Sequence, residues 1–249
     1  MAANCFAMKS AGKSARLVPT ILAVALLTST GCRMVADGQN IEGVRLQQQG
    51  QHQAAIQQFQ EAITSQPTNA DAYYNMAATY HRIGIQQKDQ KQLEQAETLY
   101  NQCLDLNEDH VDCRRGLAVL LTETDRSDRA FNLMKNWANS SPQVADARIE
   151  LARLYEEAGD YETAKLHLNK AILLDQYNSR AWAALGNIRE QLGDTQQALA
   201  NYQRSYNLNS FQPGVAQRIA SLAGTPIGGG VSGASETRIV TRPMPGRNY

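Results

Sequence analysis

Residues 179–208 read SRAWAALGNIREQLGDTQQALANYQRSYNL, and this stretch decides the fold. Leu185 and Arg189 stand four apart with Gly186 between them, Gly193 interrupts the pattern, and Ala198 is followed four residues later by Tyr202. Residues i and i+4 share one face of a helix, so the stretch is two helices joined at Gly193, where a positive φ is reached at little steric cost. The small side chains at positions 186 and 198 let the two helices cross closely. Outward from here the pattern recurs. Ala55, Ala96, Ala130, Ala164 and Ala198 are each followed four residues on by Phe59, Tyr100, Met134, Leu168 and Tyr202; three of the four intervals are 34 residues and the other is 41.

The small residue of each first helix is Gly43, Ala77, Ala118, Ala152 and Gly186. The apolar stripe beside it runs through Leu46, Met76, Tyr80, Leu117, Leu121, Leu151, Tyr155 and Leu185, with Glu42 and Arg189 as its polar members. Gly50, Gly84, Gly159 and Gly193 fall at the expected turns, with Asp125 in that place in the third repeat. A 34-residue helix-turn-helix period with these small and large registers resembles the tetratricopeptide repeat family. That resemblance, over residues 36 to 212, implies an all-α solenoid of five helical hairpins. Polar Gln39 and Glu42 in the first hairpin suit an end repeat with no neighbour on one side. Pro213 opens an amphipathic segment with Val215, Ile219 and Leu222, read as a capping helix that completes a repeat domain of residues 36–222. Residues 223–249 are rich in Gly, Ser and Pro and offer too little apolar surface to repay ordering. The 41-residue interval carries seven extra residues. They form either a longer loop or one added turn on each helix of the second hairpin.

Residues 1–31 contain no acid, three bases (Lys9, Lys13, Arg16), an apolar run from Leu17 to Leu27, and small Ser29, Thr30 and Gly31 before Cys32. This is the grammar of an export signal. Eleven apolar residues make about 16 Å of helix, half of a bilayer core, which argues against a permanent span. Leu26 to Cys32 resembles a bacterial lipobox, with Ser29 where that family prefers a branched aliphatic residue. The resemblance implies a lipid on Cys32, residues 32–35 as an anchor linker, and attachment in the bacterial envelope facing the periplasm. Arg33, where inner-membrane lipoproteins often have Asp, favours the outer membrane by the same resemblance. Ordinary cleavage after Gly31 is the alternative. In such a compartment Cys103 and Cys113 can oxidise or remain small core residues, and spacing does not decide between the two.

The whole chain has a formal charge of zero, but the signal's three bases and the excess of Arg238, Arg242 and Arg247 over Glu236 leave the middle about five charges negative. No basic stripe with interleaved aromatics is present, which excludes a nucleic-acid partner. His52, His81, His110 and His167 are scattered without i, i+3 or i+4 pairing, so no metal site is expected and solvent or turn positions are. Gly12-Lys13-Ser14 lacks the earlier glycine of a phosphate loop. Glu156 and Glu157 are adjacent, point apart and read as a solvated face. No catalytic residue, cofactor or small-molecule substrate is expected, and no room remains for a catalytic domain. In the family, the groove is lined by positions 2, 5, 9 and 12 of each first helix, which here include Asp71, Tyr74, His81, Asp112, Arg115, Asp146, Arg153, Glu156 and Asn187. The candidate peptide contacts are Tyr74, His81, Arg115, Arg153 and Asn187, with Tyr74 beside Arg115 supplying stacking and charge-assisted bonds. Tyr74 and Ala78 do not fit the clamp that some members use for chaperone C-termini. Trp137 sits where the family places a small residue. Either it splays the junction or, the preferred reading, its indole swings outward over Arg148. The implied function is a lipid-anchored scaffold or assembly factor for protein or peptide partners in pilus, outer-membrane-protein or wall machinery. The other readings are a soluble exported repeat protein, a structural tether, and the recognition arm of an enzyme complex.

Overall fold

The computed structural model describes residues 18–224, with side chains from residue 33 onward. Residues 1–17 of the expected signal (1–31), the thiol of Cys32 and residues 225–249 of the expected tail (223–249) lie outside the described residues. Among the described residues all eleven elements are α-helices, and the chain divides into two compact units, residues 1–108 and 109–249. Among the described residues no helix is long and apolar enough to cross a membrane.

The first unit contains α1 (Val18–Gln48), α2 (His52–Ser65), α3 (Ala70–Gln87) and α4 (Gln90–Leu106). Helix α1 runs unbroken through residues 32–35 into the first repeat. α1 packs on α2, α2 on α3, and α3 on α4. The seven extra residues of the second hairpin prove to be helix: α3 has 18 residues and α4 has 17, against 14 for α2. About one added turn on each keeps the same faces buried. The turn therefore moves, which corrects the sequence assignment of Gly84. Gly84 lies inside α3, where a Cβ would stand 2.7 Å from the Leu93 side chain, so its role is to admit α4. The turn itself is Lys88–Asp89, with Lys88 at φ 55°.

The second unit contains α5 (Val111–Glu123), α6 (Ser127–Ser140), α7 (Ala145–Glu157), α8 (Tyr161–Leu174), α9 (Ser179–Gln191), α10 (Thr195–Leu208) and α11 (Pro213–Leu222). Each packs on the next, and the first helices α5, α7 and α9 also touch in sequence. Gly50, Gly159 and Gly193 take positive φ at the turns as expected, and Asp125 reaches φ 58°. Side-chain caps fix several helix starts: Asn69 accepts from the Ala72 amide, Asp160 from Thr163, and Asn178 from Ala181, each contributing about 1 kcal/mol.

Packing follows the registers. Ala152, Ala164 and Ala184 sit among Ile149, Leu168, Leu185 and Ile188 in one core. Burial of each branched residue contributes about 1.5–3 kcal/mol. At Gly186 an added Cβ would meet the Tyr202 ring at 2.8 Å, which explains the smallest residue at that crossing. Val215, Ile219 and Leu222 of α11 close over Ala183, Ala198 and Tyr202, as the capping reading required. The preferred expectation for Trp137, an indole swung outward over Arg148, is overturned. Its ring is fully buried, its Nε1–H donates to Asp109 Oδ1 at 2.8 Å, and the Arg114 guanidinium lies 5.1 Å from the ring centroid. The indole turns inward because a carboxylate and a cation are there to receive its polar edge and its face.

Candidate peptide-binding face

Position 2 on α5, α7 and α9 is Asp112, Asp146 and Arg180, and the residues one turn further along each helix rise on the same face. In the second unit these helices are cross-linked through one carboxylate. Glu150 of α7 is 1% exposed. Its Oε1 accepts from Arg115 Nε at 2.9 Å and Nη2 at 2.6 Å, and from Arg180 Nη2 at 2.5 Å. Arg153 Nε stands 3.4 Å from its other oxygen. The outer ends are closed by Asp112, which accepts from Arg115 at 3.0 Å, and Asp146, which accepts from Arg180 at 2.9 Å. The result is a chain of alternating sign, Asp112–Arg115–Glu150–Arg180–Asp146, across three successive repeats. Burial alone would raise the Glu150 carboxyl, but the hydrogen bond from Arg115 and the charges of Arg115, Arg180 and Arg153 outweigh it and hold the carboxyl below the ordinary range.

Further along α7 and α9, Asn187 Nδ2 donates to Glu156 Oε1 at 2.5 Å, and Arg153 pairs with Glu157. Glu156 is therefore a buried, bonded group, which corrects its reading as part of a solvated face. Two neutral links join the first helices of the first unit. Asn75 Nδ2 donates to Asn40 Oδ1 at 2.9 Å, and Gln47 Nε2 donates to Thr79 Oγ1 at 2.8 Å.

Of the five expected contact residues, Arg115, Arg153 and Asn187 fall in the second unit; Arg115 and Arg153 join Glu150, Arg153 almost wholly buried, and Asn187 bonds Glu156. Tyr74 and His81 fall in the first unit. Tyr74 is half-buried, its ring 6.3 Å from that of Tyr100. His81 is only 2% exposed, with Nδ1 3.4 Å from the Tyr100 hydroxyl and the rings edge to face, so it is a core histidine and not the solvent-facing one expected. Sequence reasoning missed Glu150 and Arg180. Arg180 was detectable as the sign change in the position-2 column, which reads Asp37, Asp71, Asp112, Asp146, Arg180. Glu150 gave no such signal, because it stands one residue off the groove registers.

Family models described as TPR repeat match residues 43–84, and models described as tetratricopeptide repeat match residues 126–188 and, in two stretches, 70–110 and 179–211. A Bos taurus protein, BBSome complex member BBS4, is 26% identical over 153 residues, which cover 61% of this chain but 28% of that protein. This chain thus spans little more than a quarter of that relative. The structure is similar to a thermophilic TPR protein of Thermus thermophilus, with a TM-score of 0.59, 18% identity, and coverage of 76% of this chain and 98% of the other. It is similar also to pilF of Pseudomonas aeruginosa, with a TM-score of 0.53, 15% identity, and coverage of 78% and 85%. At these identities the likeness establishes the fold.

Proposed function

We propose, because this chain belongs to the tetratricopeptide repeat family and its first helices carry a fixed polar face, that it is a lipid-anchored scaffold binding an extended protein segment in a bacterial envelope. The fold itself supports a role in protein or peptide interaction. The observation that carries the reading is the Glu150-centred network. Arg115, Arg180, Asp112 and Asp146 are partly exposed, yet their positions are set by a buried partner and by one another. Side chains already ordered lose little entropy on binding, which favours recognition by directed hydrogen bonds.

The anchor rests on the sequence around Cys32, and the periplasmic, outer-membrane location on the same segment and Arg33. Machinery for pili, outer-membrane proteins or wall enzymes is the proposed setting. Photo-crosslinkers at Asp112 and Asp146 should capture one common partner, while crosslinkers at exposed Leu166 and Leu173 of α8 should not. Equal capture at all four sites would remove the polar face from the mechanism. For the anchor, Cys32→Ser should release the chain from membranes and leave the precursor unprocessed, since a lipoprotein's acyl chains contribute about 0.8 kcal/mol per buried CH₂. Palmitate labelling of the wild type beside the variant is the measurement. An unlabelled, soluble mature wild type would leave the soluble exported repeat protein as the reading.

A further inference from the structure

The first turn of the repeat domain leaves no room for a tether after Cys32. Ala36 is fully buried. Three residues on, Gln39 is held on two sides by α2: its Nε2 donates to Glu61 Oε2 at 3.4 Å, and its Oε1 accepts from Ser65 Oγ at 2.9 Å. The backbone of Cys32 belongs to the same unbroken helix, four residues before Ala36. At a helical rise of about 1.5 Å per residue that is about 6 Å, so position 32 is rigidly joined to a packed hairpin. The segment 32–35, expected as an anchor linker, is one turn of α1.

The described side chains on that turn face outward. Arg33 is exposed, Met34 is 72% exposed and Val35 53%. The other exposed positions of this hairpin are mostly glutamine, among them Gln48, Gln49, Gln53, Gln57 and Gln60, so two adjacent exposed apolar side chains mark its start. Past Val35 the exposed positions of α1 are Asp37, Gly38, Ile41, Arg45 and Gln48, with Ile41 as the one large apolar member. The formal charges of Arg33 and Asp37 cancel, so this end of the hairpin offers lipid an apolar contact and no net charge.

A lipid on Cys32 decides what covers these side chains. Its glyceryl group lies at the edge of the hydrocarbon, and the headgroup layer beyond is about 5–8 Å thick. Met34 and Val35 follow Cys32 by about 3 and about 5 Å along the helix axis, so both stay within that layer at any tilt of α1. We propose that the start of α1 sits in the membrane interface, with Met34 and Val35 packed among lipid glycerol and acyl carbons. Beyond Val35 the helix rises out of it, because Asp37, Arg45 and Gln48 keep their water. The inference rests on the anchor reading above and adds that the first hairpin is held against the lipid surface. The Asn40–Asn75 link then lies about 12 Å along α1 from the anchor, so a segment bound on that face of the first unit is bound beside the membrane.

The test uses the mature acylated chain in phosphatidylcholine vesicles, with and without lipid that carries a spin label near its headgroup. An environment-sensitive fluorophore is placed on Met34→Cys, Val35→Cys or Gln48→Cys; Cys103 and Cys113 are fully buried and stay unlabelled. Mass spectrometry establishes the acyl chains. Labels at 34 and 35 should emit as in an apolar medium and be quenched at least about twofold by the spin-labelled lipid, while the label at 48, about 24 Å along the helix from Cys32, should emit as in water and escape quenching. The proposal is overturned by water-like emission at 34 and 35, or by equal quenching at 48, which marks a helix lying flat. It is overturned also by a blue shift at 34 and 35 that spin-labelled lipid does not quench, which marks a protein contact such as a second copy. A chain that carries no lipid and does not bind vesicles removes the anchor reading and this one together. An acylated, vesicle-bound chain with unquenched labels removes this one alone.

Discussion

At Trp137 a large aromatic occupies a place held by Ala62, Cys103, Ala171 and Ser205 in the other repeats, and its polar edge decides where it goes. Asp109 receives the indole N–H and a second hydrogen bond from Ser141 Oγ at 2.9 Å, and these two bonds hold its carboxyl below the ordinary range. In a Trp182→Phe background, Trp137 should therefore emit at the short wavelengths of a buried indole; an emission maximum typical of indole in water would refute the placement. Glu150→Ala removes the acceptor of Arg115 and Arg180 and the counter-charge beside buried Arg153, and should lower stability by about 3 kcal/mol or more, because a buried charge loses its partner. Chemical denaturation measures it. His167 makes a pH prediction. Burial, with Arg148 and Lys170 nearby, pushes its imidazole down to about 4, and Tyr155 stacks on it at 5.5 Å. The folded state thus favours the neutral ring, and the unfolded chain binds more protons between its ordinary value of 6.5 and about 4. The contribution is complete above pH 6.5 and is lost as pH falls through that window, by about 1–2 kcal/mol once solvent screening is allowed for. His167→Gln should flatten this part of the stability–pH curve, and an unchanged curve would show that another group is responsible.

At the scale of the element, glycine has two uses, and the sequence pattern confuses them. Gly84 lies 34 residues after Gly50 and so aligns with a turn, but the added helical turns carry the real turn to Lys88 and leave Gly84 as the point where α4 comes closest. An alanine in the middle of an exposed helix normally stabilises by about 1 kcal/mol over glycine. Here the new Cβ meets the Leu93 side chain at 2.7 Å, so Gly84→Ala should instead destabilise by about 1–3 kcal/mol. The sign is the test, read from the denaturation midpoint: a more stable variant would show that Leu93 can step aside freely. Ala164→Leu probes the neighbouring register in the same way, since Ala164 is fully buried between α7 and α8, and the added methylenes must part them.

Over the whole molecule, the architecture was legible because a repeat states its core many times. Five alanines followed by five large apolar residues fix the hairpins, and the helix lengths and caps follow. The polar face was legible only in part, because its centre depends on partners from other helices. Nothing in the residues around Glu150 says that Arg115, 35 positions earlier, and Arg180, 30 positions later, converge on it. His81 and Glu156 were misread for the same reason, as polar letters whose burial is set by Tyr100 and Asn187. What a stack of repeats also needs, at any scale, is an end. Each hairpin has two apolar sides, and the last one exposes its outer side unless something covers it. Helix α11 covers Ala183, Ala198 and Tyr202 with Val215, Ile219 and Leu222. Deleting residues 213–249 should uncover that surface and cost about 2–4 kcal/mol, estimated from one buried and two partly buried aliphatic side chains. Chains stopping at 212 and at 224 separate the helix from the tail. The shorter should melt lower and associate with rising concentration, seen by calorimetry and light scattering, while the longer matches the full chain. Equal melting and a monodisperse shorter chain would mean that α10 tolerates water on its outer face and that α11 is not a cap.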